Sequence, residues 1–136
     1  MKRLLPILVV FLAVFSCREP ASVEVFVPAP GPYTFTVDMQ DSTAVYDFDL
    51  YTRIDAADVP VQIQLVLRWT SPSDSVYRES VYMPLDGRDV YVPYRSGVQP
   101  YECGLWELTV AVPSAPEGLR GMGLVTRKIV RCTGSD

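Results

Sequence analysis

The chain of 136 residues contains no histidine, only three cysteines, and lysine only at positions 2 and 128. Without histidine a Ser-His-Asp triad, a Cys-His dyad and a Cys/His metal site are all out of reach. Lys128, the one lysine left to serve as a base, sits in an alternating strand pattern between Arg127 and Arg131 and reads as part of a solvated face. Positive charge is also scarce: 12 Lys+Arg stand against 16 Asp+Glu, a net charge of −4. That balance argues against nucleic acid, which needs a basic surface to displace counterions. It argues equally against a polybasic grip on a membrane. No apolar run reaches the roughly 18 residues of a membrane-crossing helix.

The longest apolar run, Leu4 to Phe15, follows the basic pair Lys2 and Arg3 and precedes Ser16 and Cys17. A short basic head, an apolar stretch of this length and a small residue before a lone cysteine form a bacterial lipoprotein signal. Residues 1–16 are then removed, and Cys17 carries the lipid and becomes the new N-terminus. An ordinary cleaved signal peptide or a buried first element are the alternatives. The mature chain of about 120 residues suits one domain with one core. The acyl chains supply the membrane attachment that charge does not.

Residues 17–32 hold the lipidated cysteine and a segment with four prolines, either a tether or a first strand around Val23 to Val27. From Tyr33 onward, residues 33–136 read as a single domain with a period of two. Tyr33, Phe35 and Val37 alternate with polar residues, as do Tyr46, Phe48, Leu50 and Thr52. The clearest stretch places Val61, Ile63, Leu65, Leu67 and Trp69 on one face. Such alternation fits half-buried antiparallel strands and would scramble on a helix. Further strands are expected at 75–83, 89–94, 105–112 and 123–131, with Asp86-Gly87 as a turn signal between the first two. Pro84 and Pro93 remove ladder donors and mark their strands as edges, or as ending early. Seven or eight short strands without a convincing helix predict an all-β fold, an antiparallel β-sandwich of jelly-roll type.

Two cysteines remain after Cys17. If 105–112 and 123–131 pair as a hairpin with Val112 opposite Gly123, the register carries Cys103 opposite Cys132. A disulfide there is expected, against the alternative of two free thiols, in a compartment where such bonds persist.

The remaining candidates for chemistry are acidic and aromatic. Asp47 and Asp49 share a strand face at a spacing not foreign to paired-carboxylate catalysis, but on the polar side of a strand they read as solvated. The clusters Asp38–Asp41, Asp55–Asp58 and Asp86–Asp89 fall in turns, where carboxylates and backbone carbonyls can converge on a Ca²⁺ ion; that is the alternative to plain turn formation, and none of them has the spacing of a known calcium loop. No catalytic residue, metal or small-molecule substrate is therefore expected. Eight tyrosines and two tryptophans are many for one domain. Tyr82, Tyr91, Tyr94, Arg95 and Tyr101 are the candidate binding patch, since such rings offer rigid amphipathic area at low entropic cost.

After the lipidated cysteine and tether come YTFTVDMQDSTAVYDFDLYTRI, the strand VQIQLVLRW, PSDSVYRESVYMPL, and a late GLWELTVAV before LRGMGLVTRKI. This order resembles the gliding-motility lipoprotein H family of Bacteroidota. The similarity includes a block of Asp41, Ser42, Tyr46, Asp47 and Arg53, and an ending at Leu119, Gly121, Met122, Gly123 and Leu124. The resemblance implies a lipoprotein on the periplasmic face of the outer membrane, working with motility machinery and its type IX secretion system, with no enzyme activity. The expectation is thus a non-enzymatic accessory or structural subunit of an envelope assembly. The alternative is a surface-exposed module binding a glycan or a host protein, since Arg18-Glu19 resembles surface-export signals of Bacteroidota lipoproteins.

Overall fold

The computed structural model describes residues 21–130. The signal segment 1–16, Cys17 and Cys132 lie outside the described residues. Eight strands are present: β1 (Ala21–Val27), β2 (Tyr33–Met39), β3 (Ala44–Ile54), β4 (Gln62–Thr70), β5 (Val76–Pro84), β6 (Asp89–Val98), β7 (Gly104–Ala111) and β8 (Leu119–Val130). They form two antiparallel four-stranded sheets, ordered β1-β8-β3-β6 and β2-β7-β4-β5. The expected all-β sandwich is what the chain forms.

The pairings explain the order. β4 pairs with β5, β3 with β6, β2 with β7 and β1 with β8. The chain is thus one long hairpin doubled back at residues 71–75 and wrapped into two layers. The ladders β3–β8 and β4–β7 then close each sheet. That is the jelly-roll order. Its four edge strands are β1, β6, β2 and β5, so Pro84 and Pro93 both stand on edge strands, where sheets tolerate a residue without an N–H.

Two local expectations are corrected. β7 and β8 do not pair with each other, because they belong to different sheets. Val112 is not opposite Gly123; Gly123 pairs with Phe26 and Tyr51. The reason is the connection: Gly118, at a φ of +82°, turns the chain so that its carbonyl accepts the Asp55 N–H at 2.8 Å. β8 then starts at Leu119 beside Ile54 rather than folding back on β7. The hairpin register that placed Cys103 opposite Cys132 therefore does not form. Likewise Asp86-Gly87 is a turn, but it carries the chain from one sheet to the other instead of closing a hairpin.

The inward faces are those the alternation marks, except that Val61 lies before β4 and is exposed. Tyr33, Phe35, Val37 and Met39 of β2 are buried, as are Tyr46, Phe48 and Leu50 of β3 and Leu65 and Leu67 of β4. Burying one such side chain is worth about 1.5–3 kcal/mol, and together these rows form the core between the sheets. β8 departs from alternation: Gly121 to Val125 are all buried. It is a central strand whose inner face meets the core and whose outer face lies beneath aromatic rings.

Candidate functional site

β5 and β6 are adjacent in sequence but edge different sheets, so their facing sides leave a seam rather than a ladder. In β6 the register against β3 shifts twice, between Tyr46 and Phe48 and between Phe48 and Asp49. Each shift gives β6 an extra residue, and such irregularities re-aim side chains. Tyr94 and its neighbour Arg95 consequently both turn to the seam. The Tyr94 hydroxyl accepts from Trp69 Nε1 at 3.0 Å and donates to Glu79, which also accepts from Arg95. The Arg95 guanidinium lies 5.4 Å from the Tyr94 ring centroid. Burial, and then the bond to Glu79, push the Tyr94 phenol up from its ordinary value. Bonds to Tyr94 and Glu79 push the Arg95 guanidinium up. This network ties β4, β5 and β6 together across the opening.

On one side of it lies a cleft of about 320 Å³. Its wall is a chain of rings. Phe48 and Trp69 are 5.4 Å apart, Trp69 and Trp106 6.3 Å, and Trp106 and Tyr101 5.6 Å. Tyr77 closes the set 6.0 Å from Tyr101. The two indole N–H groups are already used, Trp69 on Tyr94 and Trp106 on the Glu102 carbonyl at 2.9 Å. Tyr77 donates to the Tyr101 hydroxyl at 2.8 Å, which raises the Tyr77 phenol and lowers that of Tyr101. The cleft therefore offers ring surface together with Met39, Val98 and Pro100, with polar groups from Arg95, Gln99 and the paired hydroxyls of Tyr77 and Tyr101.

The loop bearing Tyr101 is held from below. Ser73 donates to Glu102 at 2.7 Å. Gly104, at a φ of +149°, lets the chain pass Pro72, whose Cγ would stand 2.7 Å from any Cβ there. On the other side of the Glu79 network a second depression, of about 450 Å³, is lined by Tyr82, Val81, Met83 and Val92.

Of the five residues expected to form a patch, Tyr82, Tyr94, Arg95 and Tyr101 line this seam. Tyr91 does not. It lies on the outer face of the β1-β8-β3-β6 sheet, its ring 4.4 Å from that of Tyr51. Trp69, Trp106, Phe48 and Tyr77 complete the cleft without having been singled out, because at period two the first three are indistinguishable from core. Cys103 is exposed, immediately before β7.

The acidic candidates are engaged elsewhere. Asp49 takes both arms of Arg127 at 2.7 and 3.1 Å, and Asp47 accepts the Gly97 N–H at 2.7 Å. Asp41 bonds the Thr43 hydroxyl and N–H and pairs with Lys128 at 3.2 Å. Asp38 accepts the Gln40 N–H, Asp55 faces Arg120 and Asp89 accepts from Tyr51. Among the described residues no three Cys, Asp or Glu side chains converge as a metal site would require.

No protein-family model and no curated protein matches the chain. Among solved structures, a chain of infectious bursal disease virus, Gx strain, is similar at 14% identity and a TM-score of 0.30. The match covers 85% of this chain and 38% of that one. The mitogen of Yersinia pseudotuberculosis is similar at 12% identity and a TM-score of 0.22, over 88% of this chain and 92% of that one.

Proposed function

We propose that the protein is a non-enzymatic docking domain, attached to the outer membrane through a lipid on Cys17, that serves as an accessory subunit of a cell-envelope assembly. The aromatic seam cleft is the observation that carries this reading. A cleft whose indole donors are already satisfied has little to offer a polar substrate. It has much to offer an apolar or prolyl segment of a protein partner, which docks on aromatic walls of this kind. The lipid would confine the domain to one leaflet, raising its effective concentration near membrane partners.

Replacing Tyr101 by a photo-cross-linking phenylalanine analogue in intact cells, followed by pull-down, tests the docking role. The expected result is one envelope protein captured in stoichiometric yield from position 101 and not from the exposed Val61. Capture of only abundant outer-membrane proteins, alike from both positions, would remove the reading. Labelling with radioactive palmitate tests the anchor: incorporation is expected in the natural protein and absent in Cys17→Ser.

A further inference from the structure

We propose that the outer face of the β1-β8-β3-β6 sheet is a second binding surface, for a neutral oligosaccharide chain. Phe26, Gly123, Tyr51 and Tyr91 stand in one row across its four strands. Gly121 and Gly123 place no side chain between the rings of β1 and β3; a Cβ at 121 would stand 2.3 Å from Phe26 Cζ. The rings of Phe26 and Tyr51 lie 5.5 Å apart over this bare backbone.

Covering glycine accounts for those two rings but not for Tyr91, which stands opposite Tyr51 and is 54% exposed. Tyr91 is nonetheless held firmly. Its hydroxyl donates to Glu24, on the opposite edge strand, at 2.7 Å, and that of Tyr51 donates to Asp89 at 2.6 Å. Exposed rings fixed in advance lose little entropy when a ligand stacks on them.

The rim supplies the polar half of the chemistry. Arg53 faces Asp89 at 3.9 Å and Arg120 faces Asp55 at 3.8 Å, too far for hydrogen bonds, so these groups retain capacity for a ligand. Arg53, Asp55 and Arg120 line a recess of about 550 Å³ that continues from Phe26. With Glu24, which takes the Tyr91 hydroxyl, these groups amount to three carboxylates against two guanidiniums. That surface does not attract a polyanion, but it presents donors and acceptors side by side next to ring faces. A sugar chain offers the matching pattern of hydroxyl pairs and C–H faces. This surface is separate from the seam cleft and does not depend on the role proposed for it.

Electrophoresis of the purified protein through gels containing a soluble mixed-linkage glucan, a xylan, a mannan or polygalacturonate tests the proposal. Retardation in at least one neutral polysaccharide is expected. Tyr91→Ala and Tyr91→Leu should each weaken it about tenfold or more, a change of roughly 1.4 kcal/mol, with the thermal midpoint showing both variants folded. Tyr91→Phe, which keeps the ring, should bind within a few-fold of the natural protein. No retardation in any neutral gel, retardation by polygalacturonate alone, or undiminished binding by Tyr91→Leu would each overturn it.

Discussion

Thr52 is the one polar side chain of the β3 inner row, wholly buried between Val90 and Met122 in the ladders on either side. Its hydroxyl has no hydrogen-bond partner. A buried hydroxyl without a partner costs about 1–3 kcal/mol by mutational measures, and valine has nearly the same shape without that cost. Thr52→Val is therefore expected to raise stability by about 1 kcal/mol, read as a higher urea midpoint at unchanged slope. A lower midpoint would mean that the hydroxyl is satisfied in solution. The sequence placed Thr52 with Tyr46, Phe48 and Leu50 on a single face, and that inference needed nothing but alternation. What alternation could not report is whether the hydroxyl would find a partner, because that depends on which strand lies opposite.

Between elements, the connections that cross from sheet to sheet are held by side chains rather than by ladders. At the β5–β6 seam, Tyr94 both receives the Trp69 indole and donates to Glu79. Tyr94→Phe leaves a half-buried indole N–H and a carboxylate oxygen unpaired and should cost about 1–2 kcal/mol. Arg95→Ala removes an ion-pair partner that is half exposed and should cost less than about 1 kcal/mol. Denaturation of the two variants side by side checks the ranking, and a larger loss for Arg95→Ala would show that the ion pair, not the phenol, closes the seam. At the β2–β3 crossover, bonds from Thr43, and then from Lys128, hold the Asp41 carboxyl at about 2, down from 3.8. A carboxyl depressed in the fold adds stability above its unfolded value, and that contribution is lost as pH falls from 3.8 toward 2. Asp41→Ala should flatten the stability profile across that window; an unchanged profile would show that the turn bonds do not persist in solution. These devices were only partly legible. Asp in a turn was expected, but the doubled register shift that turns Tyr94 and Arg95 to the same side breaks the period on which sequence reading relies.

At the scale of the whole molecule, the strands and edges were legible because alternation and proline position are local signals. The pairing was not. β1 joins β8 across almost the full described chain, and only wrapping the doubled chain into two layers brings such partners together. The same wrapping changes the meaning of the cysteines. Gly104, at the start of β7, pairs with Met39, and Val130, at the end of β8, pairs with Ala44. Met39 and Ala44 flank one short crossover between the sheets, so Cys103 and the end of β8 stand at the same end of the sandwich, in different layers. A bond from Cys103 to Cys132 would therefore join the two sheets instead of two strands of one hairpin. It would also close a loop of about 30 residues, for which chain-entropy estimates give about 3–4 kcal/mol. The expectation is that Cys103 in protein isolated without reductant resists thiol reagents until the bond is reduced, and that reduction lowers the urea midpoint. Because Cys103 is exposed, immediate labelling without reductant would show two free thiols and leave the layers joined by their core and crossovers alone.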